Sequence, residues 1–500
     1  MNRTVLGAAA AILLSACSGS RSTTSPGLAR SEASGRIENA LNAEAHAHAI
    51  WGVSIVDLTT GVALYERNAD RLLVPASNAK LYSTSAALEV LGPDFVFETV
   101  VSSPGAIADD TLRGPLVITG SGDPTIGGRF RDGDELAIFR EWADELRAHG
   151  IRHIDGDIVG DDNFFDDTPL GYGWSWDDEP YWYSAELGAL SFNDNCIDVT
   201  VFATTPGQPA SITWRPFNTW YVTIENESVT VAADSLADEE YSRSRATNHI
   251  RVRSRIVASE EQRESLSISN PTAYFVHVLR EVLIREGITV GGRAVDIDDM
   301  DDPLPSTSTE LLRHRSRPLS DIISVVNKRS QNLYADQLLK VIGTRLPAHE
   351  TDEPGGSARN GIALASRVWA TAGVDTSLAQ IVDGSGLSRY NLVTPRMTTH
   401  LLSWMWSRPA TVRDAFLDSL PIGGVDGTLA GRYDVGAARG EVRAKTGTVS
   451  NVSTLSGYVA TDDGTPLAFS IMANNFVVDT DEMRDVQDLI VTTLASIHNR

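Results

Sequence analysis

Between residues 50 and 67 the chain reads IWGVSIVDLTTGVALYER, apolar and polar positions alternating on both sides of Thr59-Thr60-Gly61. A period of two on either side of a turn predicts a β-hairpin. The next block, VPASNAKLYSTSAALEVLG, is almost continuously small and apolar, with Pro75 at its entry and Gly92 at its exit, the pattern of a buried helix. A helix is also expected ahead of the hairpin, over Ser34–Ala47. From about Thr99 to Pro305 the texture changes to short alternating runs broken by Gly, Asp and Pro, among them GPLVITGSGDPTI, DVTVFATTPGQP and HIRVRSRI. These predict a mostly β segment of two parts, interrupted by helical runs that stop at Gly150 and Gly287. After about Ser306 the helical texture returns in LSDIISVVNKRSQNLYADQLLKVIG, ARNGIALASRVWATAG and TPRMTTHLLSWMWSR. The stretch GEVRAKTGTVSNVSTLSGYVATDDGTPLAFSIMANNF then reads as antiparallel strands, and a last helix closes the chain. The expected class is α+β: residues 34–98 and 306–500 share one antiparallel sheet covered by helices, and residues 99–305 are a mostly β insertion.

Composition narrows the possible partners. The chain has 500 residues, 42 basic against 66 acidic, a net charge of -24. A nucleic-acid binder needs a basic footprint, so that class is excluded. The N-terminus, MNRTVLGAAAAILLSACSGS, has Arg3, an apolar run from Val5 to Leu14 and then small residues, the layout of a secretory signal. The run is too short to span a bilayer. Leu14-Ser15-Ala16-Cys17 resembles a bacterial lipobox, so residues 1–17 are expected to be a signal with Cys17 lipidated, giving membrane attachment, and 18–33 a flexible tether. That leaves Cys196 without a disulfide partner, and a buried structural thiol is expected there. The aromatic and acidic stretch GWSWDDEPYWYSAE is expected to pack around the insertion rather than line a sugar groove. Asp298-Asp299-Met300-Asp301-Asp302 lacks the glycine and glutamate of a calcium loop and reads as a solvated linker.

Three short motifs carry the candidate chemistry. Ser77-Asn78-Ala79-Lys80 is S-x-x-K at a helix start, Ser330-Gln331-Asn332 is S-x-N between two helical runs, and Lys445-Thr446-Gly447, continued by Thr448, is K-T-G on an expected strand. Residues three apart on a helix face the same way, so Lys80 points at Ser77. A serine hydroxyl becomes a nucleophile when a base takes its proton, and a lysine amine kept neutral by burial and by a neighbouring cation such as Lys445 is such a base. Ser330 is placed to relay a proton, and Asn332 to fix Lys80 and a substrate amide. Gly447 permits close backbone approach. Thr446 and Thr448 offer hydroxyls to a carboxylate, and the amides of Ser77 and Thr448 are candidate oxyanion donors.

With these motifs in this order, the chain resembles the class C low-molecular-mass penicillin-binding proteins, D-alanyl-D-alanine carboxypeptidases and endopeptidases of the serine type. The resemblance extends to GSGDPTI (120–126), SAELGALSFNDNCIDVTV (184–201), DGSGLSRYNLVTP (383–395) and LPIGGVDGTLAGR (420–432). It also extends to the 253 residues that separate Ser77 from Ser330. It implies a penicillin-binding, β-lactamase-like transpeptidase domain with two inserted, largely β domains, in a periplasmic or cell-envelope protein. It implies Ser77 as acylated nucleophile, Lys80 as general base, Ser330 and Asn332 in the cleft, and Lys445, Thr446, Gly447 and Thr448 at the substrate carboxylate. Peptidoglycan stem peptides are the implied substrates and β-lactams covalent inhibitors, with no metal or organic cofactor. Two alternatives stand beside it: a β-lactamase, and an inactive lipid-anchored wall-binding protein.

Overall fold

The computed structural model describes residues 28–498. The signal expected over 1–17, with Cys17, and the tether expected over 18–33 lie outside the described residues as far as residue 27. The tether reading is corrected beyond it, since Leu28 bridges Ile497 and residues 30–33 are helical. The two ends of the chain do share one sheet. Strands β1 (Ile50–Asp57) and β2 (Ala63–Arg67) form the expected hairpin, and β3 (Arg443–Val449), β4 (Val452–Ala460) and β5 (Pro466–Asn474) supply the rest. All neighbours are antiparallel, in the order β3-β4-β5-β1-β2, with Trp51 opposite Ala473 and Lys445 opposite Ser456. The K-T-G strand is therefore an edge strand.

Helices cover both faces. On one lie α1 (Arg30–Leu41) and the last helix, Thr480–Ala495, packed over Trp51, Val53, Ile55, Phe469 and Ile471. The helix expected over 34–47 thus begins at Arg30 and stops at Leu41, giving way to a short turn at Glu44–His46. On the other face α2 (Ala79–Leu91) is the central element, and every residue from Ala79 to Leu88 is buried. Its small residues allow this. Ser85 returns its hydroxyl to a helix carbonyl, Thr84 does the same to Lys80 O, and Ser83 reaches Gly384 O at 2.8 Å. Around it pack α3 (Leu319–Lys328), α4 (Asn332–Gly343), α5 (Ala358–Thr371) and α6 (Pro395–Trp406).

The insertion has its own core, centred on Phe139, Trp142, Phe192, Tyr274 and Phe275. Its two expected helices are Ala137–Ala148 and Pro271–Arg285, the second capped by Asn270. Its strands divide among small sheets, including Ser211–Arg215, Cys196–Phe202 and Glu261–Ser267 side by side. Strand Thr309–Arg315 pairs with Glu98–Ser103, so the chain leaves the insertion's sheet after Arg315, ten residues beyond the boundary that composition marks. Cys196 is a buried thiol that burial pushes well above its ordinary pKa, in keeping with a packing role. Among the described residues no helix is long and apolar enough to cross a membrane.

Candidate active site

The structure brings the three motifs to one crevice. Ser77 lies in a tight turn, Ala76–Asn78, that runs directly into α2, so Lys80 stands one turn above it. Ser330 sits in the three-residue break between α3 and α4, and Asn332 opens α4. Lys445 to Thr448 lie on edge strand β3. Ser77, Ser330, Thr446 and Thr448 line one cleft of about 620 Å³, together with Thr428, Arg432 and side chains from the start of the last helix.

Within it Lys80 is fully buried. Its Nζ lies 3.0 Å from Ser77 Oγ, 2.6 Å from Asn332 Oδ1 and 2.7 Å from the Ser385 carbonyl. Two of these neighbours only accept. A neutral amine gives its two N–H groups to them and turns its lone pair to the Ser77 hydroxyl. Burial lowers the Lys80 pKa from 10.5 to about 7, with the charges of Asp336 and Asp383 partly opposing it. Lys445 is buried too, and it falls well below its ordinary value through burial first and the charge of Lys80 second. Its Nζ donates to Ser330 Oγ at 2.9 Å and to the Thr446 carbonyl at 2.8 Å. Thr446 Oγ1 donates to Thr428 Oγ1 at 2.8 Å on the exposed side of the cleft.

Local backbone makes this possible. Ala76 (φ 47°) and Ser330 (φ 60°) are left-handed although neither is glycine, a conformation that costs about 1–3 kcal/mol each. The turn holding Ser77 is clamped to the sheet by Asn78 Nδ2 donating to Lys445 O (2.9 Å) and by Thr454 Oγ1 donating to Pro75 O (2.8 Å). A Cβ on Gly447 would stand 2.3 Å from Thr454 Oγ1, 2.8 Å from Pro75 O and 2.9 Å from Ser77 N. Gly447→Ala is therefore expected to push the strand off the Ser77 turn at a cost of about 1–3 kcal/mol, read as a lower denaturant midpoint. Gly35→Ala, in the open on α1, serves as the control and is expected to gain up to ~1 kcal/mol. Equal midpoints for the two variants would contradict this packing.

Several groups that the motifs did not reveal complete the site. Asp336, one turn along α4 from Asn332, is buried and accepts from the amides of Gly384 (2.6 Å) and Ser385 (3.2 Å). Asp383 is filled by four donors: Gly386 N, Ser388 N, Asn391 Nδ2 and Trp174 Nε1. Together they build the turn whose Ser385 carbonyl orients Lys80. The aromatic stretch also reaches the cleft, beyond the packing role expected of it. Asn332 Nδ2 donates to the Tyr183 carbonyl at 2.7 Å, which fixes Oδ1 toward the lysine. A signal for these groups was present in DGSGLSRYNLVTP, but it named a segment without assigning it work.

Away from the cleft, Asp162, Asp296 and Asp298 bring carboxylate oxygens within 4.8 Å of one another. Asp298 is exposed, as the solvated reading of 298–302 expects, and its turn is capped by the buried Asp296. Burial, with repulsion from Asp296 and Asp298, raises Asp162 to about 6, offset by the Thr272 hydroxyl.

Known proteins resemble the chain over most of its length. Over 439 residues the chain is 36% identical to a D-alanyl-D-alanine carboxypeptidase of Actinomadura sp. (strain R39), covering 85% of this chain and 78% of that one. It is 26% identical over 419 residues to the D-alanyl-D-alanine carboxypeptidase DacB of Haemophilus influenzae, covering 82% of each. The crystal structure of penicillin binding protein 4 (dacB) from Haemophilus influenzae superposes with a TM-score of 0.77 at 24% identity, over 92% of this chain and 98% of that one, which shows the fold. The family described as D-Ala-D-Ala carboxypeptidase 3 (S13) matches residues 33–497, and the chain belongs to that family.

Proposed function

We propose that the protein is a serine-type D-Ala-D-Ala carboxypeptidase and endopeptidase that cleaves peptidoglycan stem peptides through an acyl-enzyme on Ser77. The observation that carries this is the buried Lys80 amine, held by two acceptors with Ser77 Oγ as its third neighbour at 3.0 Å. Ser77 Oγ attacks the carbonyl between two D-alanines while its proton passes to Lys80 Nζ. The oxyanion forms beside the amides of Ser77 and Thr448, a kind of donor that contributes about 3–4 kcal/mol elsewhere. Ser330, hydrogen-bonded to Lys445, carries a proton to the leaving amine. D-alanine departs in carboxypeptidase mode, and the cross-linking amine of a neighbouring stem in endopeptidase mode. Water then releases the shortened peptide.

Edge strand β3 supports the substrate's placement. Among the described residues its outer side is paired at its start, where Arg443 bridges Ile422 and Ala444 N donates to Pro421 O, and the stretch from Lys445 to Thr448 beyond it is open to an added peptide strand. Thr446 and Thr448 then meet the terminal carboxylate. In this reading the boundaries expected from sequence, 34–98 and 306–500 catalytic with 99–305 inserted, move at the second junction to residue 316, because Thr309–Arg315 pairs with Glu98–Ser103. β-Lactams acylate the same serine. The N-terminal Leu14-Ser15-Ala16-Cys17 supports export to the cell envelope, with Cys17 lipidated as an anchor.

Digestion of purified muropeptides tests the reaction. The expected products are D-alanine from pentapeptide monomers and free monomers from cross-linked dimers. Rapid nitrocefin turnover without either product would transfer the reading to a β-lactamase. Absence of all three activities would leave only the wall-binding role.

A further inference from the structure

We propose that Asp336 is a positioning residue for acyl transfer: held behind Lys80, it aims the amine through the Ser385 carbonyl and balances the charge that the amine acquires. This deepens the reading above and rests on Ser77 and Lys80 acting as nucleophile and base.

The chain of contacts is continuous. Asp336 Oδ1 accepts from Gly384 N and Ser385 N, and the Ser385 carbonyl accepts from Lys80 Nζ at 2.7 Å. The turn has no freedom to shift, because a Cβ on Gly384 would fall 2.5 Å from Ala335 O and one on Gly386 1.9 Å from Ala76 O. The other oxygen, Oδ2, is buried with no hydrogen-bond partner among the described residues. A carboxylate so poorly solvated is costly unless a cation stands near it.

The charged groups that face the amine are Asp336 on α4, Asp383 in the 383–388 turn and Lys445 on β3. They differ in what they can do. Asp383 has both oxygens filled by donors. Lys445, whose own ammonium is disfavoured by burial and then by the charge of Lys80, supplies no negative charge. Asp336 has one bare oxygen, and burial, then repulsion from Asp383, drives its pKa upward, so its charge depends on what stands beside it. During acylation the Ser77 Oγ–H bond breaks and its proton joins the Lys80 lone pair. Oγ bonds to the substrate carbonyl carbon, and the carbonyl π pair moves to oxygen. An ammonium then appears in a buried site next to Lys445, and Asp336 is the group able to answer it with negative charge.

The test is the pH dependence of kcat/KM for acylation by penicillin. Wild type is expected to show an acid limb near 7, set by Lys80. Asp336→Asn keeps an acceptor for the two amides and removes the charge. Its limb is expected to move down by about one pH unit, and its plateau to fall about tenfold, because the amine becomes a weaker base. Asp336→Glu is expected to return the limb toward wild type. The mass adduct stays on Ser77 in all three. A rate lowered in parallel at every pH, or a limb moved upward, overturns the proposal. If Asp336→Asn does not fold, carbon-13 NMR of labelled aspartates in wild type decides: one buried carboxyl titrating together with the limb supports it, and none doing so overturns it. Absence of any adduct on wild type would overturn the acyl-transfer reading and this inference with it.

Discussion

Replacing Ser77 with alanine is expected to abolish the covalent adduct that labelled penicillin leaves on the wild-type protein, and with it peptide cleavage, by roughly 10⁴-fold or more. The size follows from the lack of a substitute. Ser330 is the other serine hydroxyl lining the cleft, and it accepts from Lys445 Nζ at 2.9 Å. Its backbone is left-handed and fixed between two helices, so it cannot move into the place of Ser77. The Ser77 hydroxyl bonds to Lys80, and the turn is held by Asn78 and Thr454 instead. The variant should therefore melt close to wild type, and lost labelling will not reflect lost folding. Intact mass after labelling checks both proteins at once. A persisting adduct would place the nucleophile elsewhere, with Ser330 the first residue to examine.

The parts of the site that sequence disclosed are those encoded locally. Ser77 and Lys80 share a helix turn, and the spacing alone puts them face to face. The hairpin and the strand containing Lys445 follow from alternation and turn residues. What stayed hidden depends on long-range closure. Lys80 meets Asn332 across 252 positions and Ser385 across 305, and no periodicity reports such pairings. Asp336 looks like an ordinary polar position of an amphipathic helix, and only the fold reveals that the turn at 383–388 covers it. Tyr183 acts through its carbonyl, which its residue type does not announce. Left-handed Ala76 and Ser330 are likewise invisible, since neither alanine nor serine advertises that conformation. Composition shifts before the strand at 309–315, whereas its pairing with Glu98–Ser103 decides where it belongs.

Replacing Lys80 with methionine separates the roles of this buried group. Methionine fills similar volume and has no lone pair able to take the Ser77 proton, so acylation is expected to fall about 10²–10⁴-fold, with the serine still present. The stability effect carries more information because it changes with pH in a prescribed direction. Folding lowers the Lys80 pKa from 10.5 to about 7. Between those values the unfolded chain holds a proton that the folded chain has released, so wild type gains stability from this group as pH rises through the window. Below about 7 the cost of a buried ammonium is fully present. The methionine variant has no such dependence, but it leaves Asn332 Oδ1 and the Ser385 carbonyl without their donor, at about 1–3 kcal/mol for each buried group left unpaired. Wild type minus variant, measured as denaturant midpoints, should therefore rise steadily from pH 7 to pH 10. A flat difference would mean that the amine keeps its proton in the folded protein. A lysine so charged offers no lone pair to Ser77, and the two-acceptor, one-base geometry at Nζ would have to be read as an ammonium making three ordinary hydrogen bonds.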